Sequence, residues 1–144
     1  MNQIALDFLK ARENCRLEAY RDSAGIWTIG WGHTGSDVTE GLVWTQAQAD
    51  QALIAKVANV ETTVSMQTYP LKLSEQQAAA LISFAYNEGQ HAFATSQILQ
   101  FVRAQKWFAA MKDLLNWTRA GSADSQGLLK RRCYEAALFL EGSP

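Results

Sequence analysis

Glu13, Asp22 and Thr28 are the residues whose types and spacing best suit chemistry in this chain. Eight residues separate the two carboxylates, and five separate Asp22 from Thr28. Two carboxylates on either side of a helix-to-hairpin junction can face one another across a cleft. Cleavage of a glycosidic bond needs such a pair: one carboxylic acid protonates the leaving oxygen, and one carboxylate supports the attacking water or the developing cation. As the acid, Glu13 must carry its proton when the sugar arrives, which calls for partial burial among apolar groups. Thr28 adds a hydroxyl suited to fixing a water beside Asp22. Spacing alone leaves a plainer reading open, in which a Glu at a helix end is simply solvated.

The elements that must position these residues follow from the apolar periods. Ile4, Phe8 and Ala11, with Ala5 and Leu9 beside them, predict an amphipathic helix over 3–13. The period then changes to alternation through Leu17–Asp22. Turn chemistry follows at Ser23-Ala24-Gly25, then β-branched and aromatic residues at Ile26–Ile29, which together predict a hairpin. Gly30, Gly32, Gly35 and Gly41 mark an irregular loop. Thr45-Gln46-Ala47-Gln48 is a capping box opening a helix to about Val64, and Ser74-Glu75-Gln76-Gln77 is a second. The run behind it, Ala78–Tyr86, is apolar on almost every side and predicts a buried central helix ending at Gly89 in a left-handed cap. Further helices are expected over 96–104, 107–117 and 126–140, with a loop over 119–126. A lone hairpin is unstable and needs helices against it, and their junction is where a cleft forms.

Composition narrows the function. At 48% hydrophobic and 19% charged residues, the chain can fill a core and is no disordered polyelectrolyte. No apolar run reaches transmembrane length, and the start of the chain, with Asp7 where an apolar signal core would run, predicts no secretory signal. Thirteen basic residues against 14 acidic ones give a net charge of −1, which argues against a nucleic-acid partner. Lys130-Arg131-Arg132 is the one local basic cluster. Two cysteines, Cys15 and Cys133, are expected as free thiols, since they pair only if the chain ends pack together. His33 and His91 belong to no ligand-spaced cluster, and Gly30 and Gly32 lack the third glycine of a phosphate loop, so neither metal nor cofactor is expected.

The longer string carries more weight than any of these positions alone. Glu13, Leu17, Tyr20, Asp22, Gly25, Thr28-Ile29-Gly30, Gly32 and His33 together closely resemble the signature of phage lysozymes, the endolysins of glycoside hydrolase family 24. Leu73–Gly89 resembles that family's central helix, and Trp117 with Gly127–Glu135 resembles its C-terminal segment. The resemblance implies an α+β, mainly α fold of two lobes: a small N-terminal hairpin lobe and a helical lobe around the buried central helix. All of 1–144 then forms one catalytic domain, with the hairpin lobe at about 15–44, the helical lobe at about 1–14 and 65–144, and a connecting helix at about 45–64.

It further implies a muramidase that cuts the β-1,4 bond between N-acetylmuramic acid and N-acetylglucosamine in peptidoglycan. Glu13 becomes the general acid, while Asp22 and Thr28 hold the water. Tyr86 and Asn87 become substrate contacts, with Thr34 and Ser96 as lesser candidates. His33 ties the hairpin lobe to an acid, and Arg132 supports Glu13 from the last helix, with Glu135 placed to offset its charge. The expected partner is the peptidoglycan strand, met by a monomer with no nucleic acid and no stable membrane insertion. Synthesis is expected in the host cytoplasm, with periplasmic peptidoglycan reached through a holin-type pore. A lytic transglycosylase on the same bond and a non-catalytic peptidoglycan-binding module are the alternatives. With no overall basic excess, either the basic residues gather near the cleft or activity depends less on salt than a cationic lysozyme's.

Overall fold

The computed structural model describes residues 1–144. Helix α1 (Gln3–Lys10) leads into three strands, β1 (Arg16–Arg21), β2 (Trp27–Gly30) and β3 (His33–Thr34). The helices α2 (Gln46–Thr68), α3 (Glu75–Glu88), α4 (Gln90–Ala94), α5 (Gln97–Arg103), α6 (Trp107–Leu114) and α7 (Ser125–Glu141) follow. The architecture is the expected one, a small antiparallel sheet attached to a helical body around a buried helix. The sheet runs in the order β1-β2-β3, with Thr28 opposite both Tyr20 and Thr34.

Alternation predicted two strands, and the third was hidden by its two-residue length. A further backbone tie lies on the outer edge of β1, where Ala19 and Trp44 donate to Leu42 and Leu17 and Glu18 bridges to Val43. That tie brings the loop after the sheet back along the hairpin and delivers the chain to the start of α2.

Both capping boxes form as the sequence predicts. In each, the Thr45 or Ser74 hydroxyl accepts from the N3 backbone, and the Gln48 or Gln77 amide oxygen accepts from the cap residue's own N–H. Helix α2 runs one turn beyond the predicted end, because Val64 continues the buried stripe Leu53, Val57 and Val60 and Thr68 closes it. Its hydroxyl donates back to the Val64 carbonyl at 2.9 Å. Helix α3 is buried along almost its whole length: Ala79, Ala80, Leu81, Ile82 and Phe84 have no exposed surface. It packs against α1, α2 and α7, so it is the wall to which the other elements are fixed.

Gly89 differs from the predicted left-handed cap. Its φ of +101° and ψ of 148° lie in a region essentially reserved for glycine. The residue turns α3 directly into the short α4, so the chain continues helical where a cap would have released it.

Candidate active site

Helix α1 stops at Lys10, three residues before the predicted end, yet the Glu13 N–H still donates to the Leu9 carbonyl at 2.8 Å. One further turn therefore fixes the Glu13 backbone without making it helical. Its side chain is 23% exposed, and Oε1 accepts from Arg131 Nη1 at 2.7 Å. Oε2 takes no hydrogen bond from the protein.

Arg131 itself is tightly held. Its Nε donates to Glu135 Oε1 at 3.2 Å, and Nη2 donates to the Ser83 carbonyl and hydroxyl at 3.3 and 3.2 Å. The Ser83 hydroxyl donates to Glu135 Oε1 at 2.6 Å. Glu135 has no exposed surface, and its other oxygen accepts from Arg132 Nη1. Arg132 is equally buried and donates onward to Glu88 Oε1 at 2.7 Å, to the Trp117 carbonyl at 3.0 Å and to Asn87 Oδ1. Arg119 reaches Glu88 from the surface at 3.2 Å. The result is an alternating chain of charges, Glu13–Arg131–Glu135–Arg132–Glu88–Arg119, running from α1 through the interior to the far surface. Buried charges persist only when paired and hydrogen-bonded, and each interior member here has both. Burial pulls the Arg131 guanidinium down, but Glu13 and Glu135 outweigh it and leave its pKa above the ordinary value.

The hairpin side is built on a smaller scale. Asp22 Oδ1 accepts from the Ala24 and Ile26 N–H groups, both at 2.9 Å. The backbone closes the same turn, with Asp22 donating to Ile26 at 3.0 Å and Gly25 donating to Asp22 at 2.9 Å. Gly25 sits at φ +78°, a left-handed conformation in which a side chain would strain the turn. As with Glu13, one carboxylate oxygen is used for structure, and Asp22 Oδ2 has no protein partner. Thr28 is buried, and its hydroxyl donates to the Ile26 carbonyl at 3.0 Å. With its proton committed there, Thr28 Oγ1 can only accept from a third group.

Tyr86 and Lys56 join the two sides. The Tyr86 hydroxyl donates to the Trp31 carbonyl at 2.6 Å, linking α3 to the sheet. Burial and the Glu13 charge push its pKa up. Lys56 of α2 lies with its ammonium 4.0 Å from the centroid of the Tyr86 ring. Its burial lowers its pKa while the Glu13 charge opposes that. Lys56 was not singled out in the sequence, although it lies one turn from Leu53 and from Val60 of the buried stripe.

Several expected contacts fall elsewhere. The guanidinium on Glu13 belongs to Arg131, not to the expected Arg132. Arg132 shares the inner stripe of α7 with Leu128, Ala136 and Phe139, so it faces Trp117 and α3, two ion pairs beyond Arg131 along the chain of charges from Glu13. That helical phase was the available signal. Ser96 is no open contact: buried at the start of α5, it donates to Phe93 and accepts from Leu99. Asn87 gives its oxygen to Arg132, leaving only its amide nitrogen free. Thr34 is exposed at the sheet edge and lies opposite Thr28, on the same sheet face. His33 bonds Asp37 Oδ2 at 2.9 Å, an acid four residues on, and packs against Trp44. Cys15 and Cys133 are both free thiols. No helix is long and apolar enough to cross a membrane.

Known proteins resemble this chain in sequence and in fold. The family model described as Phage lysozyme matches residues 10–135. The chain is 39% identical over 136 residues to an endolysin of Salmonella phage P22, covering 92% of each chain. It is 34% identical over 146 residues to an endolysin of Bacillus phage PZA, but spans only 56% of that protein's length. Its fold is similar to the solved endolysin of Escherichia coli O157:H7 phage FAHEc1, with a TM-score of 0.86 at 32% identity, over 96% of this chain and 92% of that one. On the family match and these identities together, the chain belongs to the phage lysozyme family.

Proposed function

We propose that this chain is an endolysin muramidase, hydrolysing the β-1,4 bond between N-acetylmuramic acid and N-acetylglucosamine in peptidoglycan. Glu13 is the general acid, and Asp22 with Thr28 grips the attacking water. One observation carries the reading: each carboxylate spends one oxygen on the scaffold and keeps the other unbonded. Glu13 Oε2 is free to deliver a proton to the glycosidic oxygen. The water donates its two hydrogens to Asp22 Oδ2 and Thr28 Oγ1, which turns its lone pair toward the anomeric carbon. Asp22 takes the water's proton as the bond breaks, so protons and charge balance over the two carboxylates.

Arg131 orients Glu13, and because that guanidinium is shared with Glu135 its positive charge is not concentrated on the acid. A water held between the carboxyls implies an inverting outcome. Tyr86, Asn87 and Thr34 remain candidates for contact with the glycan. The protein works as a monomer within a single catalytic domain and reaches the wall through a membrane lesion made by another protein.

Mass spectrometry of the soluble products from purified peptidoglycan tests this. Reducing N-acetylmuramic acid ends are expected from the wild type. Glu13→Gln should lower the rate by about 10²–10⁴-fold, the range for loss of a positioned acid. Anhydro ends would reassign the reaction to intramolecular transglycosylation and remove the water from Asp22 and Thr28. Absence of products from folded protein would leave only glycan binding.

A further inference from the structure

Lys56 is the one lysine of the molecule that is both half-buried and unpaired. Lys10 shares its degree of burial, while the others are exposed. Lys10 is satisfied by Asp50 at 3.1 Å, whereas Lys56 takes part in no ion pair. Its nitrogen makes no hydrogen bond within the protein, yet it is not sealed in. Arg12 Nε is the only unbonded side-chain nitrogen or oxygen closed off from solvent, so the Lys56 ammonium opens outward. Half-burying a charge without a partner costs stability, and such a group points to an acceptor that arrives from outside.

Three elements place it. On α2, Lys56 lies one turn from Leu53 and Val60, so its stem is drawn toward the core. Its ammonium rests 4.0 Å from the centroid of the Tyr86 ring on α3, and the Tyr86 hydroxyl donates to the Trp31 carbonyl at the end of the sheet. Trp31, His33, Lys56 and Tyr86 thus wall one hollow where α2, α3 and the sheet meet. Burial lowers the Lys56 pKa, and the charges that act on it are those of Glu13 and Arg131, which puts the ammonium on the acid's side of the cleft. Tyr86 is buried, its hydroxyl is spent on Trp31, and the cation covers its ring. The polar group left to meet a glycan here is therefore the ammonium. The ring steadies one side of it, and its remaining N–H donors are free. Farther along α2, by contrast, Asn59 and Thr63 are tied to Gln90 of α4.

We propose that Lys56 is a specificity-determining contact of the cleft, donating from its ammonium to the acetamido carbonyl oxygen of the sugar at the cut bond. This rests on the muramidase reading and adds a selectivity to it. The acetamido group hangs on the carbon next to the anomeric one, so it travels with the reacting centre into the neighbourhood of Glu13. Its amide oxygen is a neutral acceptor that suits an ammonium already short of water. The contact also rejects. A sugar that has lost its acetyl group presents an ammonium of its own below neutral pH, and Lys56 repels it.

The test compares kcat/KM on purified peptidoglycan with kcat/KM on the same material after a deacetylase has removed acetyl groups, both below neutral pH. The wild type should prefer the acetylated strands. Lys56→Met keeps the length of the side chain without donor or charge and should lower that preference about tenfold, equivalent to about 1.4 kcal/mol. Lys56→Arg keeps a cation and should hold the preference near that of the wild type. Lys56→Gln removes the charge and should lower it about fivefold, and it decides the matter if Lys56→Met fails to fold. A purely structural lysine would slow both reactions alike. A preference unchanged from the wild type in both neutral variants would therefore overturn the contact and leave the muramidase reading intact. A wild type that cuts neither substrate would overturn both.

Discussion

The two halves of the candidate site are held by opposite strategies. Asp22 is fixed by N–H donors two and four residues ahead in an exposed turn, and Thr28 by a carbonyl acceptor two residues back. Glu13 is fixed by a partner 118 positions distant, itself braced by Ser83 and by the fully buried Glu135. The first arrangement is cheap to form and easy to deform. The second exists only when α1, α3 and α7 have docked, so Glu13 is tied to the global fold, and Asp22 and Thr28 to a local one. Under the proposed mechanism, such a division lets the hairpin adjust to a glycan strand while Glu13 stays in place.

The contrast is broken most severely at Glu135. Glu135→Ala strips the shared anion from Arg131 and Arg132 and leaves two buried guanidinium groups short of a partner. A loss of about 3–5 kcal/mol is expected, the usual cost of breaking a buried pair by removing one side. A lowered urea midpoint at unchanged slope would register it. A cost below about 1 kcal/mol would mean that Glu13 and Glu88 suffice as counter-charges, and the network would then be a series of independent pairs.

A smaller and more informative change separates structure from chemistry at Asp22. Asp22→Ala removes the acceptor for two turn N–H groups and should cost about 1.5–3 kcal/mol. Asp22→Asn keeps one oxygen for those amides and should return most of that stability. It replaces the free oxygen with a donor that cannot take a proton from water. Hydrolysis should therefore remain depressed by about 10²–10⁴-fold in the asparagine variant while the urea midpoint recovers. Recovery of both would show that Asp22 serves the turn alone.

The same contrast explains what could be read from the sequence. The hairpin, both capping boxes and the glycine turn at Gly25 are written in neighbouring residues, where period and turn chemistry speak directly. Glu13, Asp22 and Thr28 stood out as a set only through the longer string from Glu13 to His33 that resembles the phage lysozyme signature, since their spacing alone left the solvated reading open. The third strand was not, since two residues carry no period. The partner of Glu13 was harder: Arg131 and Arg132 are adjacent and chemically identical, and only the phase of α7 against its buried stripe separates them. Ser83 and Lys56 gave no signal, because their roles are set by which helices meet, and a helix-by-helix reading does not contain that.

The smallest effect expected lies where the sheet meets α2. Asp50 accepts from Trp31 Nε1 at 2.7 Å and pairs with Lys10 at 3.1 Å, which ties the end of the sheet and α1 to the connecting helix. The Trp31 hydrogen bond, then those from Gln46 and Lys10, hold its carboxyl below the usual aspartate range. His33 does the same for Asp37. For a carboxyl whose folded value is depressed, the stabilisation is full above the unfolded value, about 3.9, and fades as the pH falls through the folded one. Both groups are solvated, so their contribution is small and weakened by salt. Lowering the pH from about 5 to about 2 should loosen this junction, seen as a change in tryptophan emission within that window. Asp50→Asn should flatten the change, since an amide accepts from Trp31 at every pH. An unaltered acid transition in that variant would place the sensitive contacts in the buried charge chain instead, and the local and global halves of the site would then share one response to acid.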